Sequence, residues 1–353
     1  MIEREGRLTP GDLEYLQLAD VAQQYFLDDM TQEQIARRLG VSRSNVSRML
    51  KEARERGLVE IRVHHPLRTS LALQEAIVAA LPLQTCLVLA TDPERPFSLQ
   101  NGSAAEGRVV TLGALAARYL NEQIANNAVV GVGWGSTVYS VVTSGYIERK
   151  LDTAVVQLMG SMGGATPDID GGQVASRLGR ALGAKVYYLH APMVVTDASV
   201  RAGLLRDQHI RQTLDMVRRA DVLVFSVGAV SRASGLYRAG YLTDLDLEYI
   251  QSQGAVGDIC GTYFRQDGSP CSLELEERTV AASAEAMRTA PLRVGVGWGA
   301  AKALPSIGAI RAGLINVLVT EEECAREMLA LLQRERSSAS SEPDDVLPSI
   351  SKQ

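Results

Sequence analysis

NNAVVGVGWGSTVYSVV (residues 126–142) and PLRVGVGWGAAKALPSI (residues 291–307) share one pentapeptide, GVGWG, at Gly131–Gly135 and again at Gly295–Gly299. Each copy ends a run of β-branched and apolar residues and leads into a helix-forming stretch. The two tryptophans of the chain, Trp134 and Trp298, both lie inside these copies. Short apolar runs of the same character recur at TCLVLAT, TAVVQLMG, AKVYYLHAP, DVLVFSVGAV and LINVLVT, with helical stretches between them. Their length and β-branched content suit strands buried on both faces by helices. The expected fold is therefore α/β, with a doubly wound, mostly parallel sheet. Ligands of such sheets sit beyond the carboxyl ends of the strands.

Glycines at a strand end let backbone N–H groups approach an anion, and the following helix adds the positive end of its dipole. Ser136 and Thr137 follow the first turn and offer hydroxyls to a phosphate. Lys302 follows the second turn and offers charge. Two such turns on one sheet edge can serve a single phosphorylated ligand; the plainer alternative is tight strand–helix packing. The first turn lacks the third glycine of a dinucleotide fingerprint, and no acid ends the next strand in the expected place, which argues against NAD. Trp134 and Trp298 are expected as packing residues at the pocket rim. Tyr187, Tyr188 and His190 are expected in the core.

The segment before the sheet has a different character. LADVAQQYFLDDMTQEQIARRLGVSRSNVSRMLKEARERGLVEIRVHH reads as three helices and a strand. Leu18, Val21, Ala22 and Tyr25 form one apolar face. Thr31 with Gln34 three residues on is a capping-box pattern. Ile35, Ala36 and Leu39 give the second helix its core side, and Gly40 supplies a left-handed end. Ser42 is an N-cap for the third helix. Val46, Met49, Leu50 and Ala53 share one stripe of that helix; Ser44, Ser47, Arg48 and Lys51 share another. A helix, a glycine turn and a helix with a basic outer face make a helix-turn-helix. Arg43, Ser44, Asn45, Ser47 and Arg48 are placed for base edges, where Arg reads guanine and Asn reads adenine. Arg37, Arg38, Lys51 and Arg54 are placed for phosphates. LVEIRVHH alternates like a small wing strand, and SLALQEAIVAAL like a connecting helix.

Charge supports this division. The chain carries −5 overall. Residues 31–65 hold eight basic and four acidic groups, a local +4 against −9 elsewhere. A small basic module on an acidic body is expected when only the module meets phosphate. At 353 residues and 46% hydrophobic, the chain is long enough for two domains with a large core. No apolar run reaches the ~18 residues of a membrane helix, and MIEREGRLTP lacks the apolar centre of a secretory signal. The scattered Cys86, Cys260, Cys271 and Cys324 fit reduced thiols in a cytoplasm, and neither they nor the four histidines show metal-ligand spacing.

MTQEQIARRLGVSRSNVSRMLKEARERGLVEI, GVGWGSTV, GAVGDICGTYF and KALPSIGAIRAGLINVLVTEE, in this order, resemble the SorC family of sugar-binding transcriptional regulators. The resemblance runs from about residue 15 to 332. It implies an N-terminal helix-turn-helix and an effector domain related to sugar-phosphate isomerases and glucosamine-phosphate deaminases. It also implies a phosphorylated sugar or polyol as ligand, and commonly a tetramer on palindromic DNA. By motif, the phosphate loop is Gly133, Trp134, Gly135, Ser136 and Thr137. GATPDIDGGQVASRLG offers Asp170 and Gln173 to sugar hydroxyls; the acid of GDICG is Asp258; the basic residue near the end is Lys302. Arg265, in TYFRQDG, stands where the family often has an aspartate.

The expected organisation is a DNA-binding domain at 1–65, a linker helix at 66–83, an effector domain at 84–334 and a disordered tail at 335–353. The expected function is regulation of a carbohydrate or polyol catabolic operon by a homotetramer or homodimer that binds double-stranded operator DNA, without cofactor, metal or membrane. The alternative is a sugar-phosphate isomerase or deaminase with an appended DNA-binding domain. Its chemistry needs a base and a second acid–base partner, and only Asp258 presents itself.

Overall fold

Each helix of the N-terminal segment begins at a side chain that satisfies its orphan amides. In the computed structural model, which describes residues 9–60, 67–91, 104–163 and 169–339, α1 (Pro10–Phe26) starts at Thr9 with a capping box to Asp12. α2 (Gln32–Leu39) starts at Thr31 with the expected box to Gln34, and ends at Gly40 with φ 66°. α3 (Arg43–Glu55) starts at Ser42, whose hydroxyl accepts from the Asn45 N–H at 3.2 Å. Val21 of α1 packs with Ile35 and Ala36 of α2 and with Val46 and Leu50 of α3, while Leu18 and Ala22 of α1 pack with Ala53 of α3. Tyr25 and Met49 border this core half-buried. The wing strand expected in LVEIRVHH is not formed at residues 58–60, and its remainder lies outside the described residues. The chain divides into two units, Met1–His65 and Pro66–Gln353.

The second unit is built on seven parallel strands. They are β1 (Thr85–Leu89), β2 (Val129–Val132), β3 (Ala154–Gln157), β4 (Lys185–Tyr187), β5 (Val222–Ser226), β9 (Leu292–Val296) and β10 (Val317–Glu321), in the order β1-β10-β9-β5-β2-β3-β4. Every apolar run singled out in the sequence supplies one of them. Between β5 and β9, β6 (Gly228–Ala229), β7 (Gly257–Ile259) and β8 (Thr262–Phe264) form a small antiparallel sheet. Helices cover both faces of the main sheet and divide the core in two. Leu158, Leu223, Phe225 and Leu318 belong to one half; Val130, Val155, Val224 and Val319 belong to the other.

Three expectations need correction. Tyr187 and Tyr188 are half-buried and His190 is exposed. β4 is the edge strand, so its residues lack a neighbour on one side. The helix Leu71–Ala80, α4, packs against β1 and the C-terminal helix, with Ile77 wholly buried in the core; the segment is part of the body rather than a free connector. Finally, the C-terminal helix spans Glu322–Ala339, so residues 335–339 are ordered. Arg311 holds that extension by donating to both carboxylate oxygens of Glu335, at 3.1 and 2.7 Å. Residues 340–353 of the expected tail lie outside the described residues. No helix of the described residues is long and apolar enough to cross a membrane.

Candidate functional site

The order of the sheet reverses between β5 and β2: β3 and β4 continue outward from β2, whereas β9 and β10 continue from β5. A crevice opens at the carboxyl ends of the strands where the connections diverge. β2 and β9 are the two neighbours of β5, so both GVGWG turns emerge beside the end of the same strand. One cleft of about 660 Å³ is lined by Trp134, Gly135, Ser136 and Thr137 from the first turn and by Trp298, Ala301 and Lys302 from the second. Both copies of the turn thus contribute to the lining of one cleft.

The glycines work differently from the sequence expectation. Gly135 (φ 111°, ψ 163°) and Gly299 (φ 84°, ψ 148°) share a backbone conformation open essentially to glycine alone. Their amides are spent within the fold. Gly133 N–H donates to Val224 O at 2.9 Å, and Gly135 N–H to Ile169 O at 3.2 Å. Gly297 N–H donates to Val319 O at 3.1 Å, and Gly299 N–H to Glu321 Oε1 at 2.9 Å. Gly133 itself lies behind the wall, against Phe225 and Cys260. The amides left open toward the cleft are instead those of the first turn of α6 (Ser136–Thr143), which begins without a capping side chain. The Ser136 and Thr137 hydroxyls stand beside them. Thr137 Oγ1 shares a short hydrogen bond with Ser226 Oγ at the end of β5. Trp134 forms a wall against the short helix Gly235–Arg238, where a Cβ on Gly235 would meet the indole at 2.4 Å.

Among the described residues, three charged ones line the cleft: Lys302, Asp258 and Arg238. Lys302, at the end of the 3₁₀ turn Ala300–Lys302, is half-buried. Among the described residues its ammonium has neither a hydrogen bond nor an ion pair. Burial pushes its pKa down, and the Asp258 carboxylate opposes that shift. Asp258 comes from β7 of the small sheet and accepts the Gly261 N–H at 3.2 Å. Burial pushes its pKa up, against the pull of that hydrogen bond and of Lys302. Arg238 was missed by the sequence reading. It ends a four-residue helix capped by Ser234, too short to show periodicity, and it is exposed. No ion pair forms to it among the described residues, and its charge adds to the depression of Lys302. Two cations, one carboxylate and a run of neutral donors can hold a phosphate dianion while a carboxylate accepts from hydroxyls.

Asp170 is not brought into this lining. It stands buried at the N-cap position of α7 (Gly171–Leu182), but its side chain makes no capping bond. Its carboxylate accepts from Ser161 Oγ, at 2.8 Å to Oδ1, and from Met162 N–H at 3.2 Å. That satisfies the carboxylate within its own loop, and its neighbour Ile169 lines the cleft instead. Gln173 is exposed and does not line it.

In the first unit, Arg43, Ser44, Ser47, Arg48 and Lys51 of α3 are exposed, as are Arg37 and Arg38 of α2, while Asn45 is half-buried. Lys51 Nζ lies 3.7 Å from Glu55 in an exposed i,i+4 pair, which contributes little and leaves the cation available. Arg54 stacks over Phe26 at 5.4 Å. Arg48 donates to Asn45 Oδ1 at 2.6 Å.

Comparison with known proteins matches both halves. The family described as a "putative sugar-binding domain" matches residues 65–330, and a Crp-like helix-turn-helix domain matches residues 13–70. The deoxyribonucleoside regulator of Bacillus subtilis (strain 168) is 29% identical over 320 residues, covering 90% of this chain and 99% of that one. The transcriptional regulator LsrR of Enterobacter sp. (strain 638) is 30% identical across 89% of this chain and 93% of its own. The crystal structure of the full-length sorbitol operon regulator SorC from Klebsiella pneumoniae shares the fold, with a TM-score of 0.65, 23% identity, and coverage of 90% of this chain and 99% of that one.

Proposed function

The chain belongs to the SorC family of sugar-binding transcriptional regulators, and we propose that its cleft takes a phosphorylated sugar or polyol that tunes the affinity of α3 for an operator. The observation that carries this reading is the cleft shared by the two GVGWG turns, lined both by Lys302, which makes no ion pair among the described residues, and by the open N-terminus of α6. The phosphate sits on the α6 amides and the Ser136 and Thr137 hydroxyls, with Lys302 and Arg238 supplying charge. Asp258 accepts from the hydroxyls of the sugar. The regulated genes are those of carbohydrate or polyol catabolism, and the protein acts in the cytoplasm. A panel of sugar and polyol phosphates tests the reading: one member raises the melting temperature and passes through unchanged. Steady product formation instead would support an isomerase or deaminase, in which Asp258 and Lys302, with pKa values displaced by burial in opposite senses, act as the acid–base pair.

The DNA half makes its own predictions. Arg38→Ala weakens binding to operator and random duplex alike and makes the slope of log affinity against log salt shallower by about one. A mutant that retains the parental slope would show that Arg38 touches no phosphate. The regulator assembles as a homodimer or homotetramer, and its half-sites lie one helical turn, or a multiple of it, apart. Sedimentation as a monomer at micromolar concentration, with and without DNA, would remove that assembly.

A further inference from the structure

At the start of α3, among the side chains placed for base edges, one pair is already made in the free protein. Arg48 Nη2 donates to Asn45 Oδ1 at 2.6 Å, one turn apart on the helix. Asn45 is held from below as well: its backbone N–H donates to the Ser42 hydroxyl at 3.2 Å. A guanidinium only donates, so the amide atom facing it is the oxygen. Reading adenine with two hydrogen bonds needs that same oxygen for the adenine amino group and the Asn NH₂ for N7. A charge-assisted bond to Arg48 takes one of the two lone pairs of that oxygen and fixes the plane of the amide, turning it toward Arg48 rather than toward a base edge. Conversely, the bond restrains Arg48. Its remaining N–H groups are then presented without the full loss of rotamer freedom that a loose arginine suffers on binding.

We infer that Asn45 is a positioning residue that orients Arg48 toward one guanine, rather than a reader of adenine. This rests on the DNA-reading role proposed for α3. It makes a statement about the operator: Asn45 and Arg48 together specify one base pair per half-site, not two.

The test is selection of binding sites from a random duplex library by the full chain and its variants, followed by titration of the enriched site. Arg48→Ala lowers the preference for one guanine about 10- to 100-fold. Asn45→Ala lowers the preference at that same base pair, by about 3- to 10-fold, and changes no other position. The double variant binds like Arg48→Ala alone, because the two residues act through one contact. Asn45→Asp keeps an acceptor for Arg48 but cannot donate to N7, so its preference profile follows the parent. Loss of a second, A·T position in Asn45→Ala, or an Asn45→Asp profile that lacks one parental adenine, would overturn the inference while leaving operator reading intact. A parent chain that enriches no sequence would remove operator reading, and this inference with it. Melting curves of the variants, matched to the parent, separate loss of reading from loss of fold.

Discussion

Lys302→Met abolishes the melting-temperature rise caused by the cognate sugar phosphate, and leaves operator affinity without ligand unchanged. Lys302 is half-buried and makes no hydrogen bond or ion pair among the described residues, so in the free protein methionine forfeits only its longer-range attraction to Asp258. The ligand gains a charge-assisted contact in a poorly solvated cleft, worth about 1.5–3 kcal/mol, or roughly 10- to 150-fold in affinity. At a ligand concentration 100-fold above Kd, binding stabilises the fold by about 2.7 kcal/mol; a 100-fold weaker ligand adds only about 0.4 kcal/mol at that concentration. Thr137→Val removes a hydroxyl of similar position without changing side-chain volume, and silences the response in the same way. Because Thr137 also bonds Ser226, Ser226→Ala serves as the control for that lost contact. Linkage requires that a ligand shifts DNA affinity only by its preference for one state over the other. Both mutants are therefore locked in the ligand-free response to operator. Should Lys302→Met respond normally while Thr137→Val does not, the second pentapeptide is a packing turn and the phosphate lies wholly at α6.

The sequence was most legible where burial dictates residue type. A parallel strand covered on both faces must be a short apolar run, and seven such runs became the seven strands of the main sheet. The helices of the first unit were legible through their caps, because Thr31, Gly40 and Ser42 answer local needs that no distant residue alters. What the sequence could not carry was neighbourhood. That β2 and β9 flank β5 is a matter of strand order, and only that order turns two resembling turns into one cleft. β6 to β8 are two or three residues long, below any period, so Asp258 was found by motif and its strand was not. Arg238 had no motif either. The glycines of the turns were read as anion donors because their freedom suggested exposed amides; in the fold each amide already has an acceptor. Asp170 lies outside the cleft lining for a related reason: a carboxylate that resembles a ligand contact is equally suited to bonding Ser161 and the Met162 N–H.

Glu321→Leu melts well below the parent. Read as sequence, Glu321 is the first of three acids in VTEEE, a typical solvated run ahead of a helix. In the fold it ends β10 at 2% exposure. Its Oε1 accepts the Gly299 N–H at 2.9 Å and the Cys324 N–H at 3.0 Å, and its Oε2 accepts the Glu323 N–H at 2.7 Å. One carboxylate thus caps the C-terminal helix and pins the second GVGWG turn. Leucine fills similar space but leaves three amides without acceptors. Each such group costs about 1–3 kcal/mol, so a loss of at least about 3 kcal/mol is expected, which lowers the melting temperature by about 5 °C or more. Glu321→Gln falls between. One oxygen still serves Gly299 and Cys324, but the NH₂ opposes the Glu323 N–H, donor against donor. Lys302 lies three residues beyond Gly299, so the glutamine variant also binds the sugar phosphate more weakly although it never touches it. A leucine variant that melts with the parent would mean that water or a shifted backbone satisfies these amides. The position of Lys302 would then have to come from the packing of Trp298 and the helix Ala303–Arg311 alone.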